Sequence, residues 1–165
     1  MEIDDKQNVS RTDKAVAEYN NLWKEQNEIY SAAARRFGLS DSAMWILYFL
    51  RLGNGSCSQK EIASSMQLPK QTINSAVKQL ERGGYVTLHC GTDRRCRLVE
   101  LTPDGDRLAE STSDQVIAAE RAAWGDFTDG EQKLLISLLG KYNERLNAQM
   151  ERIERIKNRE SGGEK

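Results

Sequence analysis

Histidine, proline and cysteine are scarce: the 165 residues hold one, two and three of them. The single His89 leaves no second imidazole for paired acid–base chemistry or a His-rich ligand set. Cys57, Cys90 and Cys96 form an odd set without a CxxC pair, so neither a disulfide framework nor a zinc site is indicated. No apolar run approaches the ~20 residues of a membrane helix. The opening MEIDDKQNVS is acidic and polar, unlike a signal peptide. An excess of one charge is also missing, since 24 Lys and Arg stand against 25 Asp and Glu for a net −1. That balance excludes a uniformly basic surface but not a local basic patch. Carboxylates are scattered and no nucleophile–base pair is visible, which argues against an enzyme. These absences predict a cytoplasmic protein with no cofactor, no bound metal and no membrane partner.

What is present is helical periodicity. Val16, Tyr19, Leu22, Trp23, Ile29, Tyr30, Ala33 and Phe37 recur at spacings of three and four, one face of a long helix over 12–37. Residues 1–11 are expected to be flexible. Gly38 ends that helix, and Ser40 or Asp41 caps Met44–Leu50, a segment apolar on all sides and so expected at the centre of the domain. After a Gly53-Asn54-Gly55 turn, Ser58 and Glu61 form a capping box for a short helix with Ile62, Ala63 and Met66 inward. Pro69 suits the first position of the next helix, which points Ile73, Ala76, Val77 and Leu80 to one side and stops at Gly83-Gly84.

The period then changes to alternation. Tyr85–Cys90 and Cys96–Leu101 read as two strands joined by Gly91–Arg95, a hairpin. Thr102-Pro103 restarts a helix to about Trp124, and Thr128 with Glu131 opens another, carrying Leu134, Leu135, Leu138, Leu139, Tyr142, Leu146, Met150 and Ile153. Residues 158–165 are polar and expected to be disordered. The predicted fold is mainly α with a small β-hairpin: one domain over 12–157, a winged helix-turn-helix core with helices at 58–82 and a wing at 85–101. It is flanked by N- and C-terminal dimerisation helices at 12–37 and 103–157.

In a helix-turn-helix a small residue stands where the two helices cross, here Ala63, with Ile62, Met66, Leu68 and Ile73 as the clamp. The tight turn carries Gln67 where glycine is usual. Lys70, Gln71, Thr72, Asn74, Ser75 and Lys78 share the outer face of the second helix, residue types that donate to phosphates and read base edges. An ordinary solvated face is the alternative. The hairpin tip favours DNA: Arg94, Arg95 and Arg97 gather there, with Asp93 placed to pair one arginine and leave the other for a phosphate or the minor groove. From Lys60 to Arg97, seven Lys and Arg stand against Glu61, Glu81 and Asp93, a local charge of +4 in a chain of −1.

Together Ser58–Ala63, Thr72–Leu80, Gly84-Tyr85-Val86, Asp93-Arg94-Arg95 and Leu101-Thr-Pro-Asp-Gly105 resemble the multiple-antibiotic-resistance regulator (MarR) family over roughly residues 15–150. The resemblance implies a homodimeric transcription regulator on a pseudo-palindromic operator in double-stranded DNA, often released by a small molecule or by oxidation. It places DNA contacts at Lys70, Gln71, Thr72, Asn74 and Ser75 and in the wing at Arg94 and Arg95, oriented by Asp93. Pro69 stands where the family usually has Ser or Thr, which removes a cap-to-phosphate contact there.

Dimerisation also follows from the stripes: a core of about 80 residues cannot cover both outer helices, so a second copy is the economical partner. Leu134, Leu138, Leu139, Tyr142 and Leu146 would be its centre, with Tyr19, Trp23 and Tyr30 opposite. Trp23, Tyr30, Trp45, Tyr48 and Phe49 would wall an effector crevice for a small aromatic or other molecule, or else are plain core. Cys90 and Cys96 would face each other across the hairpin as a redox pair, their thiols acidified by the nearby arginines, or else are incidental surface thiols. Cys57, just before a helix cap, reads as structural. A repressor is the expected mode of action; the competing reading is a winged-helix protein-interaction module.

Overall fold

No glycine or proline interrupts the chain before Gly38, and the computed structural model, which describes residues 2–90 and 97–162, shows α1 over Glu2–Arg36. The helix therefore begins ten residues before the expected Thr12, because nothing in those residues breaks it. Gly38, at φ +68°, supplies the left-handed turn that ends it. Ser40, not Asp41, caps α2 (Asp41–Leu52), its hydroxyl accepting from the Ala43 N–H at 3.2 Å. Then follow β1 (Ser56–Ser58), α3 (Gln59–Met66), α4 (Lys70–Arg82), β2 (Val86–Cys90), β3 (Arg97–Leu101), α5 (Pro103–Ser111), α6 (Ser113–Gly125) and α7 (Asp129–Gly162). No described helix is long and apolar enough to cross a membrane.

The chain divides into a unit of residues 1–118 and a unit of residues 119–165. In the first, α2 lies at the centre as its all-round apolarity requires. Ile46, Leu47 and Leu50 are fully buried with Ile62 of α3, Ile73 and Val77 of α4, and Val86 and Val99 of the sheet. Ala63 sits in this cluster, with Met66 and Leu68 packed against it, so the expected clamp is formed. The hairpin is antiparallel, Val86 facing Leu101 and Cys90 facing Arg97. Alternation turns Val86, Leu88 and Val99 to the core and leaves Thr87 and Glu100 outside. Sequence pattern missed β1, which makes the sheet three-stranded in the order β1-β3-β2. Three polar-edged residues carry no alternation signal; they are a strand only because Ser56, Cys57 and Ser58 pair with Glu100, Val99 and Leu98.

Two further expectations are corrected. The helix from Pro103 does not run unbroken to Trp124 but breaks at Thr112, at φ −130° and ψ −85°. Three successive hydroxyl residues return to nearby carbonyls there, Thr112 Oγ1 to Leu108 O at 2.6 Å among them, the competition with helical pairing that such side chains offer. As a result α5 is not an outer helix: Leu108 packs on the winged core and Ala109 is buried. At the C-terminus α7 continues to Gly162 past the expected stop at Asn158, no proline or glycine intervening after Gly140.

The α3–α4 turn holds Gln67 in the left-handed region, φ 49° and ψ 32°. A side chain there costs about 1–2 kcal/mol, against about 0.4–1 kcal/mol of extra chain entropy lost by glycine. Gln67→Gly is thus expected to raise stability by about 0.5 kcal/mol, read as a higher denaturant midpoint. An unchanged or lowered midpoint contradicts strain at this turn.

The second unit is the end of α6 and the whole of α7. Thr128 Oγ1 accepts from the Glu131 N–H at 3.4 Å while the Glu131 carboxylate accepts from the Thr128 N–H at 2.8 Å, the expected capping box. Trp124 and Phe127 meet at 5.9 Å between ring centroids, and Gln132 Nε2 donates to the carbonyls of both residues. None of the described side chains from 119 to 156 is buried.

Candidate nucleic-acid interface

The interface begins with a helix whose two faces differ in kind. Ile73, Ala76, Val77 and Leu80 anchor α4 in the core. That fixes Lys70, Gln71, Thr72, Ser75 and Lys78 on the exposed side, with Asn74 half-buried beside them. The Ser75 hydroxyl donates to the Gln71 carbonyl at 2.9 Å and keeps its lone pairs outward. Pro69 is the N-cap residue, one position before the expected first helical place, and makes no side-chain cap hydrogen bond. The Pro69 side chain offers the first-turn amides no acceptor, although the Thr72 N–H donates to the Pro69 carbonyl at 2.9 Å, and the positive end of the helix suits an incoming anion.

α3 holds α4 at its angle and is itself pinned at its start. Ser58 Oγ accepts from the Glu61 N–H at 3.1 Å, and the Glu61 carboxylate accepts from the Ser58 N–H at 2.9 Å. Hydrogen bonding of the carboxylate to the Ser58 side chain first, and to the Ser58 N–H second, holds the Glu61 carboxyl below the ordinary carboxylate range. The Cys57 thiol donates to Glu61 at 3.6 Å. Burial first, then the Glu61 charge, push that thiol up, so Cys57 stays protonated and inert near neutral pH.

The hairpin supplies the second limb. Arg97 is exposed at the start of β3, opposite Cys90. Below it His89 Nε2 lies 2.9 Å from Thr87 Oγ1 and 3.3 Å from Glu100 Oε2 on the outer face. Asp93, Arg94, Arg95 and Cys96 lie outside the described residues, as does the side chain of Cys90. The residue across the ladder from Cys90 is Arg97.

Four of the five aromatics singled out in the sequence come together. Trp45 stands 4.9 Å from Tyr30, 5.1 Å from Tyr48 and 6.3 Å from Phe49 between ring centroids. Tyr30, Trp45 and Tyr48 pack on buried Ala34, Met44 and Val116. Trp23 does not join them; it lies two turns earlier on α1 and is 56% exposed. A residue missed in the sequence stands at the end of α2: Arg51 Nε donates to Asp114 at 2.8 Å and Nη1 to Asp106 at 3.1 Å. The hydrogen bond to Asp114 is the first cause that raises the guanidinium above its ordinary value. Partners 63 residues apart leave no spacing by which to foresee the pair.

Three helices, a three-stranded sheet and an exposed polar face on the second helix of the pair define a winged helix-turn-helix protein. Comparison with known proteins gives the family. A family model described as "MarR family" matches residues 37–95. The uncharacterized HTH-type transcriptional regulator YwoH of Bacillus subtilis (strain 168) is 33% identical over 97 residues, 59% of this chain and 70% of that protein. The structure of NMB1585, a MarR family regulator from Neisseria meningitidis, is 27% identical, with a TM-score of 0.63 over 79% of this chain and 94% of that one. The S. aureus MepR–DNA complex shares the fold at 18% identity, with a TM-score of 0.64 over 78% and 93% of the two chains. The chain belongs to the MarR family: it is a transcription regulator with a DNA-binding winged helix.

Proposed function

We propose that this chain is the protomer of a homodimeric repressor that reads a pseudo-palindromic operator in double-stranded DNA, acting in the cytoplasm. In this reading the N-terminal half of α4 enters the major groove. Gln71, Thr72, Asn74 and Ser75 meet base edges while Lys70, Lys78 and Arg97 meet phosphates. Arg94 and Arg95, steadied by Asp93, take the flanking minor groove or its phosphates. The observation that carries it is the division of α4 into a core-locked apolar side and an exposed face of donors at its uncapped end.

The dimer is supported by where the apolar surface lies. Among the described residues, every exposed large apolar side chain except Leu52 is on α1 or between Trp124 and Ile156. Two long helices with uncovered stripes are stable in water only when another surface covers them. A second copy does so with two-fold symmetry and sets the half-sites about one turn, ~34 Å, apart. Release by a small aromatic molecule at Tyr30, Trp45, Tyr48 and Phe49, or by oxidation of Cys90 and Cys96, completes the proposed regulation.

Asn74→Ala tests base reading. Removal of a bidentate base contact costs about 1–3 kcal/mol of discrimination. The variant is therefore expected to bind the operator about tenfold more weakly and a duplex mutated at the contacted base pair as well as wild type does. Equal weakening on every sequence contradicts base readout by Asn74.

A further inference from the structure

α5 begins where the wing ends, and its first turn grips the junction between α4 and β2. Thr102 caps α5, its Oγ1 accepting from the Gly105 N–H at 3.0 Å. The same hydroxyl donates to the Gly84 carbonyl at 2.6 Å, and the Thr102 N–H donates to the Tyr85 carbonyl at 3.1 Å. Gly84 and Tyr85 are the two residues between the C-cap of α4 at Gly83 and the start of β2 at Val86. Gly105 presses on this junction so closely that a Cβ there would fall 1.8 Å from the Tyr85 carbonyl oxygen. Asp106, next along α5, is tied at the surface to Arg51 of α2 at 3.1 Å, so the grip is also joined to α2.

The junction is a lever. α4 has 13 residues, a length of ~20 Å at 1.5 Å per residue, so a 10° rotation about its C-terminal end moves the Lys70 end by ~3 Å. Base-edge hydrogen bonds tolerate a displacement of only about 0.5 Å. β2 leaves the same junction for the wing, so its geometry sets the angle between the two limbs that meet DNA. We infer that Thr102, backed by Gly105, is a positioning residue for operator recognition: its hydroxyl fixes the angle between α4 and the wing. This rests on the reading of α4 and the wing as the DNA-contacting limbs.

The test compares the full-length wild type with Thr102→Val, which keeps the volume and β-branch but removes the hydroxyl, and with Thr102→Ser, which restores it. Affinity is measured at one salt concentration for an operator selected by the wild type and for an unrelated duplex of equal length, alongside the unfolding midpoint. Thr102→Val is expected to lower the specific-to-non-specific ratio about tenfold, the worth of one good base contact, with non-specific binding unchanged. Thr102→Ser is expected to return the ratio to within about twofold of wild type. A lowered unfolding midpoint with a wild-type ratio shows a purely structural role and overturns the inference. Should Thr102→Val not fold, the ratio of Thr102→Ala decides by the same criterion. A wild type that selects no operator overturns the DNA reading and this inference together, whereas an operator-selecting wild type with an equally selective Thr102→Val overturns this inference alone.

Discussion

Leu139→Glu combined with Leu146→Glu is expected to turn the proposed dimer into a monomer and to weaken operator binding by at least about a hundredfold. The two leucines are seven residues apart on α7, hence on one helical face, and each is 39% exposed in the isolated chain. A two-fold interface would bring the four new carboxylates of two protomers into one apolar seam, at several kcal/mol per buried ion. Separated protomers each hold one half-site and lose the effective concentration that links the two binding events. The core of α2, α4 and the sheet is built from residues 39–108, so the winged unit is expected to keep its circular dichroism and thermal transition. Sedimentation equilibrium checks the first claim and operator titration the second. A double variant that stays dimeric removes α7 from the interface.

Replacing Arg94 and Arg95 together by alanine is expected to have a similar effect on affinity through a different cause. Removing one charged side chain from a phosphate lowers the slope of log K against log salt by about 0.9. Two such arginines in each of two wings make the expected reduction about 3.6 per dimer, with affinity down about a hundredfold at ~150 mM salt. Asp93→Ala is expected to do less, because in the proposed reading it removes only an orienting carboxylate and leaves both arginine charges in the chain. The double arginine variant binding with the wild-type affinity and slope contradicts the wing assignment. Salt dependence separates this weakening from that of the α7 variant, whose protomers keep their arginines.

The parts of this molecule legible in the sequence are those whose partners are close along the chain. The Ser58–Glu61 and Thr128–Glu131 boxes close over three residues, and both form as the sequence indicates. Periodicity likewise placed Ile73, Ala76, Val77 and Leu80 in the core and so exposed the opposite face of α4. What escaped was fixed by distant residues. β1 exists because Ser56 to Ser58 meet β3 some 40 residues later, and Arg51 finds Asp114 across 63. Thr102 was visible as a helix cap, but its hydroxyl also reaching Gly84, 18 residues back, was not. Helix ends differ from expectation where composition alone guided them: residues 2–11 and 158–161 are mostly polar yet helical, and none of them is a proline or glycine. Among the aromatics, helical spacing grouped Trp23 with Tyr30, yet only the latter faces Trp45.

Selection of bound duplexes from a random double-stranded pool at ~150 mM salt tests the central claim most directly. Enrichment of an inverted repeat with half-site centres about one helical turn apart is the expected result, since two copies of α4 related by a two-fold axis read the same sequence on opposite strands. Absence of any enriched sequence at that salt and at lower salt contradicts operator reading by this chain, and its winged helix is then better explained as a surface for another protein.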